Sequence, residues 1–259
     1  MGKLEGKDKE IIEMYNEGFS TVQIAEKYYV KHQSINKLLR KYNVILRNRK
    51  NSLFLRFANY TKISDNCMEM MNGWLLGDGH LGYSNSGQTY FQMTSKHEEY
   101  IKYIKNILEK EKLKCYILKC FNKKQQTYYW KLNTNRTVQF KKLRDKWYFD
   151  RNKIVPQDIV LSNDAIKNWI MDDGSVDKRD GILTLNTQGF TKKGCEFLSE
   201  KLNRIISVGK ISINMVKRAK YPVIKINRIA TESLFNIIGK CYINCFQYKW
   251  ERGGASYYV

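Results

Sequence analysis

The stretch MNGWLLGDG, residues 71–79, and its counterpart IKNWIMDDG, residues 166–174, decide the reading of this chain. Each is a strongly apolar segment that runs into a carboxylate and then a glycine. A Trp stands four residues before the final Asp: Trp74 before Asp78, Trp169 before Asp173. Such segments read as buried helices that stop at the Asp-Gly step. An acid there is unfavourable by itself, because the last carbonyls of a helix already carry partial negative charge. One segment alone is a buried helix with an Asp-Gly turn. Two of them, at matching places in a repeated pattern, concentrate carboxylate and carbonyl oxygens, the hard donors that Mg2+ prefers.

The pattern around the two segments does repeat. After the first, residues of Gly82–Thr94 alternate as strands about a turn at Asn85-Ser86-Gly87. A helix over Glu98–Glu111, strands over Cys115–Phe121 and Thr127–Leu132, and a helix over Thr137–Tyr148 follow. After the second come a strand over Ile182–Asn186, a helix over Lys192–Ile206, strands over Ile211–Val216 and Val223–Ile226, and a helix over Thr231–Ile238. The expected fold class is α+β, two pseudo-symmetric halves of αββαββα form preceded by a small all-α unit. The expected boundaries are residues 1–46 for that unit, 47–65 for a basic linker, and 66–150 and 151–259 for the halves.

Charge narrows the partner. The 259 residues carry 46 Lys and Arg against 25 Asp and Glu, a net charge of +21. That excess implies a polyanion, since neutralising phosphates releases condensed counterions. Nothing resembles a membrane span, and the charged start Met1–Lys9 lacks the apolar run of a secretory signal, so an intracellular, membrane-free setting is expected. The six cysteines form no Cys-x-x-Cys pair and only three histidines exist, which argues against a zinc site or a disulfide framework.

Lys27 to Ser64 holds ten Lys or Arg and no acid. Asp8 to Glu17 reads as a helix closed by Gly18, Ser20 caps a second short helix, and His32 to Tyr42 forms a third with Ile35, Leu38 and Leu39 on one face. The segment STVQIAEKYYVKHQSINKLLRKY, residues 20–42, resembles the helix-turn-helix units of resolvases and bacterial repressors. That resemblance implies DNA binding, with Gln33, Asn36, Lys37 and Arg40 facing the major groove. Arg47, Arg49 and Lys50 in the linker are placed to follow the phosphate backbone.

The paired segments themselves resemble the motifs of LAGLIDADG homing endonucleases, in the branch where one chain holds both copies; the likeness covers residues 68–249. It implies that the two motif helices pack side by side between the halves, whose sheets form a DNA-binding β-saddle. It implies a monomeric, Mg2+-dependent double-strand endonuclease, with Mn2+ able to substitute. By position, Asp78 and Asp173 match the catalytic metal-binding acids, and the backbone carbonyls of Gly77 and Asp172 complete coordination. Gly73 and Gly77 provide small residues for close helix approach, whereas the second helix departs with Asn168 and Asp172. Lys153 and Lys249 match active-site lysines that stabilise charge at the phosphate or orient water. Gln188, with Ser95 and Lys96 in the first half, matches strand-end positions near the catalytic waters. The strand residues Tyr83, Asn85, Gln88, Tyr90, Gln92, Lys119, Lys131, Asn133, Thr184, Asn186, Asn214, Lys217, Lys225 and Asn227 are candidates for reading a long specific site in double-stranded DNA. Intron RNA as a partner, through a maturase role, and a non-cutting regulator are the alternatives.

Overall fold

The structure is a computed structural model that describes residues 4–47, 62–83, 88–216, 221–252 and 255–256. Arg49, Lys50, Asn85 and Lys217 therefore lie outside the described residues. At the N-terminal end, α1 (Asp8–Glu17), α2 (Thr21–Lys27) and α3 (His32–Lys41) enclose a core of Ile11, Tyr15, Ile24, Ile35 and Leu39. Gly18, at φ 114°, ends α1 in a left-handed conformation that suits glycine. Ser20 and Gln23 close a reciprocal capping box that starts α2. Arg47 belongs to this core rather than to a phosphate track. Its guanidinium lies 3.8 Å from the Tyr15 ring and donates to the Phe19 carbonyl at 2.9 Å.

The two motif helices are α4 (Asp65–Leu76) and α7 (Asn163–Asp173). Both begin in the same way: the Ser64 hydroxyl accepts the Cys67 N–H, and the Ser162 hydroxyl accepts the Ala165 N–H. After α4 come β1 (His80–Tyr83), β2 (Thr89–Ser95), α5 (Glu98–Lys110), β3 (Cys115–Asn122), β4 (Thr127–Thr134) and α6 (Val138–Trp147). A two-residue-per-strand hairpin, β5 (Tyr148–Phe149) and β6 (Asn152–Lys153), then turns the chain through Asp150 and Arg151, both at positive φ. After α7 come β7 (Gly174–Val176), β8 (Leu183–Asn186), α8 (Lys192–Ile205), β9 (Ile211–Val216), β10 (Tyr221–Ile226) and α9 (Arg228–Ile238). A 3-10 helix over Asn244–Trp250 follows.

The antiparallel sheets share one strand order, β1-β2-β4-β3 in the first half and β7-β8-β10-β9 in the second. Register places Ser175 opposite Thr184 as it places His80 opposite Gln92, so the first two strands pair antiparallel in the same way in both halves. Alternation sets the faces. Thr89, Phe91 and Met93 on β2, and Leu183 and Leu185 on β8, are buried toward the helices, while Tyr90, Gln92, Thr94, Thr184 and Asn186 face outward. One apolar core runs through both halves, from Trp74 and Phe91 to Trp169 and Phe235. Among the described residues, no helix is long and apolar enough to cross a membrane.

Candidate active site

The site begins where α4 and α7 touch. A Cβ at Gly73 would stand 2.1 Å from the Ala165 carbonyl oxygen, so glycine is what lets the helices approach this closely. One turn on, a Cβ at Gly77 would stand 2.3 Å from the Asp172 Cβ. The larger residues on α7 thus fill space that the α4 glycines leave open. Asn168 is fully buried there, its amide donating to the Met70 carbonyl at 3.3 Å and its carbonyl accepting the Tyr242 hydroxyl at 3.0 Å. The Asp172 carboxylate crosses the seam and accepts the Asp78 N–H at 3.3 Å.

Asp78, Asp172 and Asp173 are consequently gathered at two adjoining helix tips. All three carboxyls are pushed above the usual range, in each case chiefly by burial. For Asp173 the nearby Asp78 charge adds to this and the value is about 7; Lys153 and Lys249 pull against it. The lysines do more than neutralise. Lys153 Nζ donates to the carbonyls of Gly77 at 3.0 Å and Gly79 at 2.9 Å. Lys249 Nζ donates to Ile170 at 3.0 Å, Met171 at 2.5 Å and Asp172 at 3.4 Å. Each ammonium caps the negative end of one motif helix, which explains how acids can sit there. Burial holds both lysines below their ordinary pKa. The Gly77 and Asp172 carbonyls, expected to face a metal, are bonded to these lysines.

The donor set still fits a hard divalent cation. Two carboxylates, Asp78 exposed and Asp173 half-buried, can hold such an ion while water and phosphate fill its other positions. Among the described residues, no group of three His, Cys, Asp or Glu side chains cages a metal without such help. A groove of about 430 Å³ opens on the first-half side, lined by Asp78, Thr94, Lys96, Tyr129, Asp172 and Lys249 among others.

Strand-end residues surround the acids. Gln188 and Lys96 are exposed at equivalent positions past β8 and β2, while the Ser95 hydroxyl is tied to the His97 N–H at 3.2 Å. Asn186 is tied to backbone, its amide donating to the Asp173 carbonyl at 2.9 Å. Asn227 is likewise structural, because its side chain caps α9 through the Ala230 N–H and also accepts the Lys210 N–H. Lys119 projects from the helix side of its sheet, in register with Trp130, and lies over the Tyr128 and Trp130 rings. The outward face instead carries Gln92, Lys131 and Asn133 in the first sheet, and Thr184, Lys225 and Asn214 in the second. Tyr83 is exposed, the Tyr90 ring lies across Gly82, and Gln88 accepts from Arg136.

One cluster was not foreseen. His80, two residues past Asp78, lies 3.0 Å from the Tyr148 hydroxyl through Nδ1, and Arg144 stacks at 4.2 Å on the Tyr148 ring. Burial, Lys153, Arg144 and Lys131 lower the His80 pKa. A single histidine in a sequence gives no signal of this kind, and the turn that delivers Tyr148 contains no glycine to announce it.

These features define a class: a single chain of two like halves, joined by paired helices whose acidic tips meet beneath two antiparallel sheets. Residues 68–234 match the LAGLIDADG DNA endonuclease family, and the chain belongs to that family. An uncharacterized protein of Methanocaldococcus jannaschii is 30% identical over 147 residues, 54% of this chain and 56% of that one, so the match spans little more than half of that relative. A probable intron-encoded DNA endonuclease of Mycosarcoma maydis is 28% identical over 142 residues, covering 54% of this chain and 96% of that protein. The fold is similar to that of the homing endonuclease I-WcaI bound to its DNA recognition sequence. The TM-score is 0.65 at 23% identity, over 83% of this chain and 98% of the other.

Proposed function

We propose that the protein is a site-specific endonuclease that hydrolyses one phosphodiester in each strand of a double-stranded DNA target. The observation that carries this reading is the meeting of Asp78 with Asp172 and Asp173 at two capped helix ends, at a cost in burial that Lys153 and Lys249 offset only in part. A regulator that merely bound DNA would gain nothing from such acids. Family membership and the intron-encoded relative support the same chemistry.

Asp78 and Asp173 would hold Mg2+, or Mn2+ in its place. When bound, the ion lowers the pKa of water and stabilises the departing 3′-oxygen. The chain does the rest. Asp172 and Asn186 fix the backbone of the two acids, and Lys153 and Lys249 set the helix ends and supply positive field beside the phosphates. Gln188 and Lys96 stand where water and phosphate enter. The outward residues Tyr83, Tyr90, Gln92, Lys131, Asn133, Thr184, Lys225 and Asn214 would contact the grooves. In the N-terminal unit, Gln33, Lys37 and Arg40 are exposed on α3 and Asn36 half-exposed, a face suited to a second stretch of major groove.

A target recovered by cutting a random-sequence duplex library with Mg2+ tests the proposal. With it, Asp78→Asn and Asp173→Asn are expected to abolish double-strand cleavage and leave DNA affinity within a few-fold of the parent. Cleavage that survives in both variants would refute the assignment.

A further inference from the structure

His80 opens β1 on the outward face of the sheet, opposite Gln92, and its ring is exposed. The Tyr148 oxygen accepts the Leu81 N–H at 3.2 Å and lies 3.0 Å from His80 Nδ1, a spacing that lets the Tyr148 hydroxyl donate to that nitrogen. With the Tyr148 hydroxyl as donor, the imidazole carries its N–H on Nε2, on a ring that stands on the outward face of the sheet. The ring is held firmly for this purpose. It meets the Tyr148 ring edge-on at 5.6 Å, Arg144 stacks on Tyr148, and the Arg144 guanidinium also donates to the Leu81 carbonyl. Tyr148 is paired across the small hairpin with Lys153, the residue that caps the helix end bearing Asp78. A single turn of chain thus fixes both Asp78 and His80.

The second half lacks this arrangement. The residue after Gly174 is Ser175, which is exposed but far shorter, and Lys249 is delivered by a 3-10 helix rather than by a hairpin. The neighbouring Tyr248 is half-exposed. We propose that His80 donates a hydrogen bond from Nε2 to the DNA phosphate lying against Asp78, and that this contact serves only one of the two cleavage centres. The inference rests on the endonuclease reading above. It adds a phosphate-contacting residue and predicts that the two strands are cut by unequal machinery.

The test follows each strand separately, with the target duplex labelled on either strand and Mg2+ present. His80→Ala is expected to slow one strand by roughly 100-fold relative to the other, as removal of one preorganised donor does, so that nicked duplex accumulates. His80→Gln, which keeps a donor, is expected to recover most of the lost ratio. Tyr148→Phe is expected to shift the ratio the same way by a smaller factor. Affinity in Ca2+ should fall by no more than a few-fold. Equal slowing of both strands, an unchanged ratio, or an altered base preference near the cut without a change in ratio would each overturn the proposal. Nitrogen-15 shifts of His80 give a readout independent of cleavage: the Nε2–H form is expected in the parent protein, and an Nδ1–H form would overturn the assignment even if the protein cuts no DNA.

Discussion

At the scale of single residues, two glycines set the distance between the motif helices. Gly73 faces backbone, the Ala165 carbonyl, and Gly77 faces the Asp172 Cβ, which is fixed to its backbone, so neither neighbour can step aside by a side-chain rotation. Gly73→Ala is therefore expected to cost about 3 kcal/mol in urea denaturation, because the helices must part. Gly77→Ala should cost a similar amount and also cut DNA poorly, since parting the helix tips separates the Asp172 carboxylate from the Asp78 N–H. Full stability in Gly73→Ala would mean that the helices are not packed this closely. Asp172 itself shows why residue identity alone misleads here: its side chain serves the opposite helix, and its carbonyl serves Lys249.

At the scale of elements, the termini of α4 and α7 govern pH behaviour. Asp173 titrates near 7 in the folded protein, whereas an aspartate in an unfolded chain titrates near 3.9. Between these values the metal-free folded state holds a proton that the unfolded state has released, so stability is greatest below the lower value and falls as pH rises through 7. Screening at this half-exposed carboxyl limits the change to about 1–2 kcal/mol. Thermal melts without metal should show a Tm that declines from pH 5 to pH 8, and Asp173→Asn should lessen the decline, leaving the part due to Asp78 and Asp172. Mg2+ should restore Tm at pH 8, by about 2.7 kcal/mol at a hundredfold excess over Kd. A flat parent profile would contradict the crowded-carboxyl description of the site.

At the scale of the whole molecule, the net charge of +21 and the two DNA-contacting modules proposed above would set affinity. DNA binding is expected to weaken steeply, by orders of magnitude, between about 50 and 200 mM salt. Removing residues 1–46 should weaken binding and lower the salt slope while leaving the cleavage position unchanged. A deletion that moves or abolishes the cut would assign the N-terminal unit to the active site instead of to affinity.

The paired segments ending at Asp78 and Asp173, the repeat around them and the basic charge are local or periodic signals, and they determined the halves, their helices and strands, and the acids at the centre. Strand and helix periods survive in sequence because burial acts on every second or every third to fourth residue. What the tertiary structure alone decided is where side chains end up once elements meet. It turned Lys119 to the helix side, used Asn227 as a cap and Asn186 as a brace, drew Arg47 onto Tyr15, and set both lysines on helix carbonyls. It also joined His80 to Tyr148 across 68 residues of chain. Such pairings depend on the register of one strand against another and on the crossing of two helices, and no spacing along a single chain encodes them.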